Sequence, residues 1–147
     1  KFVSYCLLVL ANLVTNNTPN QEALVRLSGI NYTIDLLADI DGYDNVENVQ
    51  LATVKLLGAL SMHNLEVQSL ILLGRTGHVV NTLLDGMRGA AANAALVVAY
   101  AGLLVNLSTN PANHALLGTK TLTECLECLG RHSGDKRIGK RLLYVVQ

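Results

Sequence analysis

The sequence predicts an all-helical fold in which units of three helices stack on one another. Three observations predict it. First, an apolar octet recurs. Residues 10–17 read LANLVTNN, residues 57–64 LGALSMHN and residues 104–111 LVNLSTNP, with an offset of 47 both times. Intervals of this length are the mark of stacked helical repeats. Second, Val49, Ala52, Thr53, Leu56, Leu57 and Leu60 fall at three- and four-residue steps, which draws one buried stripe along a helix. Third, half of the 147 residues are apolar, yet there is one Phe and no Trp, so Leu, Val and Ala must fill the interior. A chain of this length is one ordinary domain with room for a sizeable core.

The elements follow in order. A long helix covers residues 2–16 and ends in the first octet. Polar residues able to cap come next: Asn16, Asn17 and Thr18, then at later copies His63 and Asn64, and Thr109 and Asn110. A short helix follows, Gln21 to Leu27 and again Glu66 to Leu73, with Pro19 and Pro111 suited to a first helical turn. A glycine break comes after it, Ser28-Gly29 or Gly74 to Gly77. Glycine permits the positive φ that a tight corner between helices often needs. A medium helix then runs over Ile30 to Ile40 and over His78 to Met87. A polar loop, Asp41 to Asn45 or Arg88 to Gly89, leads into the next long helix. The organisation expected is one domain over residues 1–147. It holds a partial repeat at 1–16, full repeats at about 17–63 and 64–110, and a shorter, truncated repeat at 111–147. The chain starts inside one repeated helix and stops inside another, so a piece of a longer protein is expected.

This pattern resembles the armadillo repeat. The features that carry the resemblance are the three-helix unit of 40-odd residues, the "NLVTN" and "NLSTN" endings of the long helices, and the glycine before the medium helix. The resemblance covers essentially the whole chain and implies a right-handed superhelical solenoid. It also implies that Asn12 and Asn106 line a concave groove and bind a peptide backbone. This chain departs from the armadillo proteins that carry nuclear-import cargo, which have a Trp one turn before the Asn. Leu8, Lys55 and Gly102 stand at those positions, and Ala59 replaces the middle Asn. In the last unit Thr121 stands where the glycine is expected. The stretches VKLLGALS and LLDGMRG are also similar to the armadillo-like regulatory region of formins.

Stacking would place successive long helices roughly 8–10 Å apart on one wall. An extended peptide advances roughly 3.3 Å per residue, so three peptide residues match one repeat. An Asn amide offers an acceptor and two donors and can satisfy both groups of a peptide unit. The same side chains could instead cap their own helices or bridge adjacent repeats, and the sequence leaves both roles open. The residues expected along the groove are Tyr5, Leu8, Asn12, Asn16, Lys55, His63, Gly102, Asn106 and Asn110. Such a wall, small and apolar with isolated amides, suits a largely uncharged ligand or an adjoining helix. Tyr5 and Lys55 are the foremost candidates for side-chain contacts.

The net charge is zero, which argues against bulk attraction to nucleic acid or acidic lipid. Its distribution is uneven. Residues 1–74 carry three basic and seven acidic side chains, and residues 75–147 eight basic and four acidic. The excesses gather at Asp35, Asp39, Asp41, Asp44 and Glu47, and at Arg131, Lys136, Arg137, Lys140 and Arg141. Three cysteines at no regular spacing indicate a reduced chain, hence the cytoplasm, with the nucleus as the alternative. Phe2 to Ala11 and Ala90 to Leu107 are apolar enough to suggest a signal core or a membrane span. Both contain a copy of the repeated octet, and the middle copy's helix holds Glu47 and Lys55, so buried helices are expected instead.

Motifs that suggest chemistry fail on context. Residues 134–141, GDKRIGKR, contain GxxxxGK, but a phosphate loop needs a preceding strand and Ser or Thr after the Lys, where Arg141 stands. Cys125 and Cys128 have a metal-ligand spacing without the second pair a structural zinc site needs. No catalytic residue, cofactor or metal is expected. The function expected is a protein-interaction module, a scaffold or adaptor that binds a peptide segment or partner helix along the groove. The alternative is an autoinhibitory, GTPase-binding armadillo domain of a cytoskeletal protein such as a formin. Apolar end faces make end-to-end self-association a further expectation.

Overall fold

In the computed structural model, residues 2–74 and 78–146 are described. Among them the secondary structure is entirely helical: α1 (Phe2–Val14), α2 (Thr18–Arg26), α3 (Gly29–Ala38), α4 (Val46–Ser61), α5 (Leu65–Leu73), α6 (Val79–Gly89), α7 (Ala94–Ser108), α8 (His114–Arg131) and α9 (Lys136–Val146). Two single 3-10 turns, Ile40–Gly42 and Pro111–Asn113, interrupt the loops. Lys1, Arg75 to Gly77 at the second corner, and Gln147 lie outside the described residues. No single described helix is long and apolar enough to cross a membrane, though α7 and the following segment Pro111–Arg131, bent by 106°, pass together on length and composition.

Asparagine sets three of the helix starts. The first N–H groups of a helix have no partner within it, and a side-chain oxygen just ahead can accept from them. Asn17 accepts from the Asn20 amide at 3.1 Å, Asn64 from Val67 at 3.1 Å and Asn93 from Leu96 at 3.2 Å. These bonds open α2, α5 and α7.

The long helices end in register. α1, α4 and α7 stop at Val14, Ser61 and Ser108, which keeps the 47-residue interval of the octets. α1 packs on α4, α4 on α7, and α7 on α9. Octet leucines Leu57, Leu60, Leu104 and Leu107 are fully enclosed, with Leu56, Leu83, Leu84 and Leu103 around them. The first copy differs because nothing described precedes it. Phe2, Tyr5, Val9 and Leu13 are exposed along α1, whereas Val49, Ala52, Leu56 and Leu60, their counterparts 47 residues on, are buried.

Buried amides close the ends of α4 and α7. The last carbonyls of a helix also lack partners within it. Gln21 donates through Nε2 to the Ala59 carbonyl at 3.0 Å, and its Oε1 accepts from Asn64 at 3.2 Å. Gln68, 47 residues later, donates to the Ser61 carbonyl at 2.9 Å, and its Oε1 accepts from Thr109 Oγ1 at 3.4 Å. Asn113 donates to the carbonyls of Leu107 and Gln68 at 3.0 and 3.3 Å. All three side chains are buried, so each satisfies a carbonyl that water cannot reach.

The corners depart from the simple glycine expectation. At the first, Ser28 takes the left-handed conformation with φ 60°, and Gly29 is already helical. Gly29 serves close approach instead, since a Cβ there would stand 2.5 Å from Leu24 Cγ and 2.8 Å from the Leu24 carbonyl oxygen. In the last unit the break falls at Gly118, with φ 57°, three residues before Thr121. Gly118 thus divides α8 into a short N-terminal turn and a medium helix over residues 119–131, and the last unit is shorter than the two before it. Asn16 and His63 also have positive φ, 52° and 56°, where the chain turns from a long helix into a short one.

A charged cluster ties α6 to α8. Glu124 is buried and accepts from Arg131 Nη2 at 2.7 Å and from Arg88 Nε at 3.1 Å. Burial pushes its carboxyl up, but the hydrogen bonds from Arg131 and Arg88 outweigh this, and it lies below the usual carboxylate range.

Candidate functional site: a trough across the long helices

Ala11, Gly58, Ala59, Ala99 and Gly102 leave space between α1, α4 and α7, and the packed helices enclose an open trough of about 570 Å³. Eleven of its seventeen lining residues fall into columns 47 residues apart. Leu8, Lys55 and Gly102 form one, Ala11, Gly58 and Val105 a second, Asn12, Ala59 and Asn106 a third, and Thr15 and Met62 a fourth. Each column takes the same helical position from successive long helices. Octet residues of α1, α4 and α7 thus line one trough.

Five of the nine residues expected along the groove line this trough: Leu8, Asn12, Lys55, Gly102 and Asn106. Asn12 is exposed and makes no side-chain hydrogen bond among the described residues. Asn106 is engaged. Its Nδ2 donates to the Gly58 carbonyl at 2.9 Å and to Ser61 Oγ at 3.2 Å, so it bridges α7 to α4. Of the two roles open to these asparagines, Asn106 takes the bridging one through its amide nitrogen. Ala59 at the equivalent position of α4 has no such group, and Asn12 in α1 has no described helix before it to reach.

The other four stand elsewhere. Tyr5 belongs to the exposed stripe of Phe2, Val9 and Leu13 on α1 and is not part of the lining. Asn16 occupies the turn after α1. His63 borders a different cleft with Thr18, Glu22 and Arg26. Asn110 is buried, and its Nδ2 donates to the Leu65 carbonyl at 2.8 Å and to Ser69 Oγ at 2.9 Å. Its Oδ1 accepts from the Ala112 amide at 3.0 Å, so its side chain shapes the turn it sits in and ties that turn to α5.

One lining residue was not expected from the sequence. Arg141 of α9 reaches back over α7 and donates through Nη1 to the Val98 carbonyl at 2.8 Å. Its guanidinium lies above Gly102, where an added Cβ would meet Nη1 at 2.6 Å. Part of the signal was available in the helical period: Ile138 and Leu142 are buried in α9, and Arg141, three residues on from Ile138, stands at the edge of that buried face. The lining therefore carries two cations, Lys55 and Arg141, and no acidic side chain. The other basic residues of this half are differently placed: Arg131 pairs with Glu124, and Arg137 pairs with Asp135 at 2.7 Å.

The residues with other chemical motifs are elsewhere in the fold. Cys125 and Cys128 lie in the core, and burial pushes the Cys125 thiol up to about 12 and the Cys128 thiol up as well. Such thiols carry almost no thiolate near neutral pH, and thiolate is the form that attacks or binds metal. Among the described residues no three His, Cys, Asp or Glu side chains are grouped to hold a metal ion. In the GxxxxGK stretch, Gly139 is inside α9, so its backbone N–H takes part in a helix and is not turned toward a phosphate.

Comparison with protein-family models, with curated proteins and with solved structures gave no match to this chain.

Proposed function

We propose that the chain is an armadillo-like solenoid of three-helix repeats, right-handed in its superhelix, and that it works as a protein-interaction module. The trough over α1, α4 and α7 receives a peptide segment in extended form. The single observation that supports this reading is the column arrangement of the lining, in which the same helical position recurs at every 47-residue step. A wall with that regularity matches a ligand that is itself regular, and an extended chain is one: its backbone groups repeat every two residues and its side chains alternate. Asn12 contributes a free amide to such a backbone, and the small residues of α4 and α7 let the backbone come close.

Gly58 provides the test. It lines the trough, and a Cβ built on it meets nothing within 4 Å. A side chain at Gly58 therefore starts in open space, and Gly58→Trp places an indole in the trough. Random twelve-residue peptides displayed on phage are selected on the wild-type chain, and the enriched sequences are then measured against both forms by fluorescence anisotropy. The reading requires that Gly58→Trp weaken them at least tenfold with an unchanged melting temperature. Equal affinity for the two forms would move binding off the trough.

A further inference from the structure

We infer that the trough selects an extended peptide with two carboxylate side chains three residues apart, one held by Lys55 and the other by Arg141. The inference rests on the trough reading and sharpens it. Lys55 and Gly102 are the same position of successive long helices. Gly102 has no side chain, and the Arg141 guanidinium occupies the space one would take, 2.6 Å from where its Cβ would be. Two neighbouring steps of the wall thus each present a cation, although one of them comes from α9. Helix spacing of roughly 8–10 Å against roughly 3.3 Å per extended residue sets the interval at three peptide residues.

Both cations are available. Lys55 is exposed and makes no ion pair among the described residues. Arg141 uses Nη1 on the Val98 carbonyl, and a guanidinium has five N–H donors in a planar fork, which leaves enough for a bidentate carboxylate. Nothing acidic lines the trough to compete. At the third step stands Leu8, so the side chain one further interval along the peptide, beyond the Lys55 partner, is apolar. This ligand is acidic, in contrast to the largely uncharged one that the sequence suggested, because the sequence did not place Arg141 on the wall.

The same selected peptides provide the test. They are expected to share Asp or Glu at two positions three apart. Lys55→Met and Arg141→Met should each weaken them about fivefold or more at low salt, with the loss shrinking in 0.5 M salt as exposed charges are screened. Replacing one peptide carboxylate by its amide should cost much less in one of these two variants than in the other, because each variant has already lost its own pair. Neutral or basic selected peptides, or carboxylates at scattered spacing, overturn this inference while the trough reading stands, provided Gly58→Trp still abolishes their binding. Binding indifferent to Gly58→Trp overturns both, as does the absence of any enriched peptide. A concentration-dependent dimer that Gly58→Trp dissolves would assign the trough to a second copy of the chain and also overturn the inference.

Discussion

Gly86 and Gly102 look alike in the sequence, each a glycine inside a helix, yet alanine should have opposite effects at the two. Tyr100 of α7 is completely enclosed, and its Oη accepts from Gln50 Nε2 at 2.8 Å. A Cβ on Gly86 would stand 2.2 Å from that Oη and 2.6 Å from Cζ. A buried aromatic ring cannot swing aside, so α6 or the ring must shift. Alanine in place of glycine gains about 1 kcal/mol of helix propensity. Against this, overpacking costs about 1–3 kcal/mol, and disturbing the Gln50 bond costs about 1 kcal/mol more. Gly86→Ala should therefore lose about 1–3 kcal/mol, and each kcal/mol moves the melting temperature of a chain this size by about 3–4 °C. Tyr100→Phe in the same chain removes the nearest clashing atom and should restore part of the loss. At Gly102 the contact is with Arg141 Nη1, the exposed tip of a flexible side chain. It can move away, so Gly102→Ala should be as stable as wild type or slightly more stable. Urea unfolding of the four chains measures this. A Gly86→Ala chain at least as stable as wild type, or the reverse ranking of the two alanines, would refute the packing described for α6 and α7.

Three further outcomes are expected. Gln68→Ala strands the Ser61 carbonyl in a buried site and should cost about 1–3 kcal/mol in urea unfolding, whereas an exposed amide such as Asn12→Ala should cost almost nothing. Ellman's reagent should find one fast thiol, Cys6, while Cys125 and Cys128 react only after denaturation, since they are buried. Glu124 has a folded pKa below its unfolded value, so its contribution is complete above the ordinary Glu value, about 4.3, and is lost as pH falls through the folded value. The stability gap between wild type and Glu124→Gln, followed by urea unfolding from pH 7 to pH 3, should hold until about pH 4.3 and then close. A gap that widens on acidification would contradict the pairing with Arg131 and Arg88.

Much of the helical plan could be read in the chain because its causes are local. An apolar stripe at three- and four-residue steps marks α4, and the capping asparagines Asn17 and Asn64 mark the starts of α2 and α5. The octets mark the ends of α1, α4 and α7, which stop 47 residues apart. What escaped the sequence depends on neighbours distant in the chain. Asn12 and Asn106 look equivalent, but only Asn106 has a described helix before it to bridge, and only Asn12 keeps its amide free. Helical steps from Asn12 point to Tyr5 as a groove residue, yet α1 contributes Leu8, Ala11 and Thr15 beside Asn12, and Tyr5 stays exposed with Phe2 and Val9. The corner at Gly118 was looked for three residues later because the 47-residue interval was carried into a unit that is shorter. Arg141 stands in the sequence only as one of the basic excess, since its place above Gly102 depends on how α9 packs against α7.

The most direct measurement is a crystal structure of the chain with its strongest selected peptide. The account predicts long helices layered in the order α1, α4, α7, α9, and peptide density running across them, with one carboxylate on Lys55 and the next, three residues on, on Arg141. Peptide bound on α2 and α5, or octets that point in unrelated directions, would contradict it.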